Sequence, residues 1–306
     1  MKMKRVAIVL GSLGAVAALA GAAPAADRPG LVSLELPIGP RAVGMGGAFV
    51  SVADDPTATY WNPAGLARVS VPERHFAIQF QHNEWISDFR QEFVGGATRI
   101  GPHSIGASFS GFYIGDIDGR DEFGQPTVAF GAYDVVVTGS YAHSITDRAS
   151  AGASVKYIVS NIDDLTHFAF AADLGAQVEV VPDLRVGGAV TNLGKGITFI
   201  REQDDLPTAV QVGGSYRLPQ RLGNGSLLVA LDGRKSRGDD AHALLGAEYD
   251  YAGLAQFQVG YRTGFDSEGL SFGAGTAVSS VKVSYAVVPF DNDLGTTHRF
   301  AIGFRL

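Results

Sequence analysis

The chain is 306 residues long, with no cysteine, 40 glycines, 18% charged residues and a formal net charge of −7. It therefore has no disulfide framework, thiolate nucleophile, cysteine metal site or lipidated cysteine. That much glycine disfavours a helical domain, and nothing in the charge pattern provides for a nucleic-acid partner.

Lys2, Lys4 and Arg5 form a positive start, Val6 to Ala20 an apolar run, and Ala23-Pro24-Ala25 a set of small residues at the usual cleavage positions. This is the pattern of a secretory signal peptide, and cleavage is expected after Ala25. No later apolar run reaches the roughly 20 residues that a bilayer-spanning helix needs, so residence in a membrane would require a barrel.

The next stretch, Gly39 to Ala67, reads like nothing that follows it. Gly44-Met45-Gly46-Gly47 removes the side chain at three of four positions, which lets the backbone turn through positive φ or lie flush against a neighbour. Asp55 before Pro56, and Asn62 before Pro63, each place a capping residue ahead of a proline suited to a helix start, with Tyr60 and Trp61 between them. Asp54 and Asp55 are adjacent, but capping explains Asp55 more simply than metal binding or catalysis. The glycines lack the Lys-Ser/Thr of a phosphate loop and the spacing of a dinucleotide site. The segment 26–72 is expected to form a plug, and 73–306 the domain that it closes.

From Arg74 onward the apolar period is two, the signature of half-buried strands. Phe168, Phe170, Leu174 and Val178 alternate with Asp173, Gln177 and Glu179, and similar runs continue to Phe300, Ile302, Phe304 and Leu306. The second face is mostly Gly, Ala, Ser and Thr with single charges, which suits a lumen behind a lipid-facing wall. The inward charges are Lys156, Asp173, Glu179, Asp232, Glu248, Arg262, Lys282, Arg299 and Arg305; both signs occur, so pairing with one another or with the plug is their simplest role. The count is about fourteen strands, in an all-β, closed antiparallel transmembrane barrel with an N-terminal plug containing short helices.

Connections alternate in length, as such barrels require. Short turns such as Val181-Pro182-Asp183 and Val278-Ser279-Ser280 alternate with long loops at 115–131, 160–166, 192–206, 233–240, 264–268 and 289–296, and the long-loop pole is acidic. The loop pairs Asp163-Asp164, Asp204-Asp205 and Asp239-Asp240 are expected to meet lipopolysaccharide phosphates through divalent ions.

The residues Arg41-Ala42, Gly44-Met45-Gly46-Gly47, Ala53-Asp54-Asp55 and Trp61-Asn62-Pro63-Ala64-Gly65-Leu66 resemble the N-terminal signature of the PorV/PorQ family. More distantly, they resemble that of the FadL-type transporters of hydrophobic compounds. The resemblance implies a plug followed by a fourteen-stranded barrel in the outer membrane of a diderm bacterium, in contact with outer-membrane lipid and lipopolysaccharide. The last strand, ending Phe304-Arg305-Leu306 with Phe300 and Ile302 on one face, resembles the strand by which barrel-assembly machinery selects its clients. On the PorV side the implied role is an accessory of type IX-like protein secretion, with exported proteins or secretion components as partners. On the FadL side it is a channel for a hydrophobic ligand. The sequence leans to the former, because its long loops are acidic and offer little apolar surface. The seven histidines, scattered over different strands and both poles, with no serine and carboxylate beside them, nominate no catalytic triad; no cofactor or metal is expected.

Overall fold

The computed structural model describes residues 29–70, 75–86, 89–121, 123–199, 202–265 and 267–306; the expected signal peptide lies outside them. In chain order the strands are β1 (Phe76–Glu84), β2 (Arg90–Ile100), β3 (His103–Ile117), β4 (Phe130–Thr146), β5 (Ala149–Ile162), β6 (Leu165–Val181) and β7 (Leu184–Gly194). A small hairpin follows, β8 (Ile197–Phe199) and β9 (Glu202–Asp204). Then come β10 (Ala209–Arg217), β11 (Gly225–Ser236), β12 (Ala241–Tyr251), β13 (Ala255–Arg262), β14 (Leu270–Val278), β15 (Val281–Pro289) and β16 (Thr296–Arg305). All but β8 and β9 form one closed antiparallel barrel of fourteen strands, in which β10 pairs directly with β7 and β1 pairs with β16. The seam is sealed at its lower end by Phe76 N donating to Leu306 O at 2.9 Å and Leu306 N to Phe76 O at 2.8 Å. Both barrel termini thus lie at one end, as an even strand number dictates.

Alternation settles which side chains face out. Phe168, Phe170, Leu174, Val155, Phe257, Phe272 and Phe300 are all exposed on the outer wall, while Ser154, Asp173, Gln177, Gln211 and Glu248 are buried inside. An exposed apolar belt of this extent is stable against lipid tails and not against water.

Two of the expected long loops are strands instead. Residues 160–166 hold only the Asp163-Asp164 turn between β5 and β6, and 233–240 shrink to residues 237–240, because the strands continue beyond the belt. The wall is uneven: β4 and β6 have 17 residues each, β13 has 8. The expected loop at 192–206 contains the β8–β9 hairpin.

The described part of the N-terminal segment lies inside the barrel. It comprises a 3-10 turn at Val32–Glu35, a short helix at Pro40–Gly44, another at Ala58–Trp61 and a 3-10 stretch at Pro63–Arg68. Its start is at the loop end, where Gly30 N donates to Asp205 O at 3.1 Å. Its end is at the terminus end, where Arg68 Nη2 donates to the Arg148 carbonyl at 3.0 Å in the β4–β5 turn. Met45, Phe49, Trp61 and Leu66 pack with wall residues Ala97, Ala142, Leu228 and Leu244, so the hydrophobic core of this protein is the filled lumen itself.

Candidate functional site

Plug and wall approach at backbone distance, and glycine makes this possible on both sides. Gly46 has φ +64°, and a Cβ there would stand 2.8 Å from Leu245 O and Tyr261 N; one on Gly44 would stand 2.9 Å from Gly273 Cα. The wall answers with Gly246, where a Cβ would come within 2.6 Å of Met45 O, and with Gly260, where it would come closer still to Gly46 N. Strands β12 to β14 thus present glycine to the glycine-rich signature, while Gly65 of that signature lies against the Ala53 carbonyl.

Arg41 is the pin of the assembly. Its Nε and Nη2 bond both oxygens of Glu248 on β12 at 2.6 and 2.9 Å, and Nη1 reaches Asp54 at 2.6 Å with Asp55 at 4.0 Å. The guanidinium also lies 5.3 Å from the Phe49 ring centre. Burial pulls Arg41 toward deprotonation, but Asp54 and Glu248 outweigh it and hold the group well above the usual arginine value. Planar bidentate pairing of this kind fixes orientation as well as charge.

Asn62 is the second anchor. Its side chain accepts from Ala64 N at 3.1 Å, capping the 3-10 stretch that Pro63 begins, and its Nδ2 donates to Val50 O at 2.7 Å and to Ala176 O of β6 at 3.2 Å. Asp55 does not cap a helix starting at Pro56. It accepts from Thr57 N at 2.9 Å in a turn, and the helix begins only at Ala58, because the proline leads into that turn. Trp61 is held within the plug by Nε1 donating to Ile38 O at 2.8 Å and by its ring against Phe49 and Tyr60, and it shares the core cluster with Leu244 of the wall. Burial pushes the Tyr60 hydroxyl up to about 12.

The other inward charges divide. Lys156 pairs with Asp173 at 2.8 Å and donates to Asn192 Oδ1 at 2.7 Å. Arg262 pairs with Glu268 at 2.6 Å, and its Nε donates to Gly46 O at 3.3 Å. Asp232 accepts from the backbone of Val50 at 2.9 Å and from Gln211 at 2.8 Å. Lys282 faces the lumen in the opposing fields of Arg41 and of Asp55 and Glu248, and Arg299 is buried. Glu179 is only half-buried at the terminus-end mouth, where it lines a cavity with Arg41 and Asp54 of the plug, and Arg305 is exposed: both share the inward register but lie at or near the end of the barrel wall. Of the assembly-signal residues, Phe300, Ile302 and Leu306 are exposed on the outer face, with Phe304 partly covered.

Sequence reasoning missed a set of glutamines that hold the plug backbone. Gln81 accepts from Gly39 N at 2.5 Å; Gln177 donates to Val50 O at 3.1 Å; Gln211 donates to Gly47 O at 2.9 Å; Gln91 donates to Leu36 O at 3.3 Å. Their signal was available, since each occupies an inward position. Also missed was Glu35, which binds Arg234 at 3.0 Å and Ser236 and so ties the first turn of the plug to β11.

Two other regions of the lumen stand out. Toward the loop end, Leu31 and Leu34 fill an apolar chamber of Val136, Ile158, Ala169, Ala171, Ile197 and Leu206. The wall beside it is irregular: the β6–β7 register slips between Ala172 and Leu174, where Asn192 takes φ +59° and donates its N–H to Asp173 Oδ1 at 2.8 Å. Toward the terminus end lies a polar cavity of about 150 Å³, lined by Arg41, Asp54, Glu179, Asp183, Arg185 and Arg217 among others.

A closed fourteen-strand barrel with its leading segment folded into the lumen is the class of protein that these features define. Its fold is shared with the Pseudomonas putida toluene transporter TodX (TM-score 0.63, 11% identity, 91% of this chain and 98% of that chain covered) and the Ralstonia pickettii toluene transporter TbuX (0.60, 17%, 88% and 97%). A Pseudomonas aeruginosa FadL homologue has the same architecture (0.55, 12%, 88% and 98%). The barrel thus resembles those of outer-membrane proteins. The chain belongs to the uncharacterised protein family UPF0164, whose model matches residues 12–210. No curated protein matches it.

Proposed function

We propose that this protein is an outer-membrane channel for small hydrophobic molecules. The observation that carries the reading is the apolar chamber at the loop end of the lumen, filled by the chain's own Leu31 and Leu34 and bordered by the polar side chains of Lys156, Asn192, Gln211 and Arg234. An apolar solute that displaces the two leucines exchanges like for like, whereas the polar and charged side chains bordering the chamber oppose further descent. Its way out is then the slipped β6–β7 ladder beside the chamber. The transporters that share the fold carry toluene in their names, which supports this reading.

The role in protein export draws on the signature resemblance and on the acidic long loops with their small apolar surface. Arg41, Gly44, Met45, Asn62 and Gly65 of that signature are buried against the plug and barrel, so any exported partner would have to be recognised by the loops. The test is uptake of radiolabelled toluene into vesicles with a lipopolysaccharide outer leaflet. Vesicles holding the protein should fill faster than protein-free vesicles; equal rates, together with capture of exported proteins by the barrel in cells, would overturn the proposal.

A further inference from the structure

The polar cavity at the terminus end is unused by that reading. It has a volume of about 150 Å³ and charges of both signs in its lining. Arg41 and Asp54 bond each other at 2.6 Å, and Arg41 also holds Glu248, so these charges are satisfied between plug and wall. Glu179 on β6, Asp183 in the β6–β7 turn, Arg185 on β7 and Arg217 on β10 line the same space. Among the described residues none of these four has an ion-pair partner within 4.0 Å.

Strand register brings the four together. Glu179 is directly opposite Arg185, and Arg185 directly opposite Ser215 on β10. Arg217 is the next inward residue after Ser215, and its backbone N–H donates to the Asp183 carbonyl at 2.9 Å. Directly opposed side chains start about 5 Å apart at Cβ, and diagonal ones about 7 Å. In each row, then, a carboxylate stands one strand spacing to the β6 side of a guanidinium without closing on it. Such a lining selects by charge pattern. A lone anion suits the guanidiniums and is repelled by Glu179 and Asp183; a lone cation meets the reverse. A ligand that carries both charges close together is attracted by both pairs.

We propose that this cavity binds a small α-amino acid. Its carboxylate is held by Arg185 and Arg217 with Ser215 beside them, its ammonium by Glu179 and Asp183, and its side chain lies against Val52 and Leu228, which also line the space. The proposal stands apart from the hydrophobic-channel reading. A guanidinium grips a carboxylate through paired N–H donors, and an ammonium gives its three protons to carboxylate oxygens. The space limits the side chain: a cavity of this size holds a ligand as large as benzene, and alanine has the same number of non-hydrogen atoms. Pro182 and Asp183 are exposed in the β6–β7 turn, which gives access from the terminus end.

The experiment is calorimetric titration of the full-length barrel in detergent with L-alanine, propionate and ethylamine. Removing the ammonium of alanine leaves propionate, and removing its carboxylate leaves ethylamine. Alanine should bind about tenfold or more tighter than either. In the double variant Arg185→Gln with Arg217→Gln, alanine should lose its advantage over ethylamine. In Glu179→Gln with Asp183→Asn it should lose its advantage over propionate, each in a protein whose unboiled gel mobility matches the parent. Propionate binding as tightly as alanine would make this a plain anion site, and ethylamine binding as tightly a plain cation site; either result overturns the proposal. An alanine preference that survives either double variant also overturns it, as does absence of binding by all three. None of these results bears on the hydrocarbon reading, which toluene uptake by vesicles tests separately.

Discussion

The Arg41–Glu248 pair joins plug to wall, and Glu248→Gln is the cleanest way to weaken it. The substitution keeps the volume of the side chain and one carbonyl acceptor, and removes the charge that faces Arg41. Glu248 and Arg41 side chains are 2% and 10% exposed, so water replaces little of the lost interaction. Removing one partner of a buried pair costs about 3–5 kcal/mol, and because Arg41 keeps Asp54 at 2.6 Å the lower end, about 3 kcal/mol, applies here. That is about a hundredfold shift from docked to released plug. The barrel itself should remain folded, since its ladders close without the plug. Planar-bilayer recordings should therefore show larger or more frequent openings at unchanged heat modifiability, and protease added from the terminus end should cut within residues 39–67. Replacing both partners, Arg41→Met with Glu248→Leu, should recover much of the loss, because it leaves no unpaired buried charge. A Glu248→Gln protein with parental conductance and protease resistance would refute the idea that this pair holds the plug.

Deletion of residues 39–67 should raise conductance further than any single substitution; unchanged conductance would show that the segment does not obstruct flow. Gly260→Val should fold as a barrel, since valine suits a strand, but its side chain enters the space of Gly46, so the plug should become protease-sensitive. Asn62→Ala removes a cap and bonds to the Val50 and Ala176 carbonyls, and should lower the midpoint of plug release in a denaturant titration by an amount equivalent to about 1–3 kcal/mol. Tyr60 is held neutral by burial up to about pH 12, against an ordinary value near 10. A group raised in this way leaves docking unaffected below pH 10 and weakens it as pH climbs from 10 to 12, by up to about a hundredfold. Conductance should rise over that window in the parent and stay flat in Tyr60→Phe.

How much was legible in the sequence follows from the range of the forces involved. Strand existence, the inward and outward faces and the closure of an even number of strands are written in a two-residue period, which is local and which lipid and lumen read directly. The plug, too, announced itself, because Gly44-Met45-Gly46-Gly47 and Asn62-Pro63 encode close approach and capping within a few residues. Strand ends were less legible: at 160–166 nothing local distinguishes a loop from a strand that continues past the membrane. What only the folded barrel decided is which wall position meets which plug residue. Arg41 and Glu248 lie 207 positions apart, and Gly46 meets Gly260 only because the barrel closes with one particular stagger. A side chain's inward parity is fixed by its neighbours, but its height in the lumen depends on the register of every strand before it. For that reason Glu179 and Arg305, read as lumen charges, stand at or near the end of the wall, while the glutamines that hold the plug passed as ordinary polar residues.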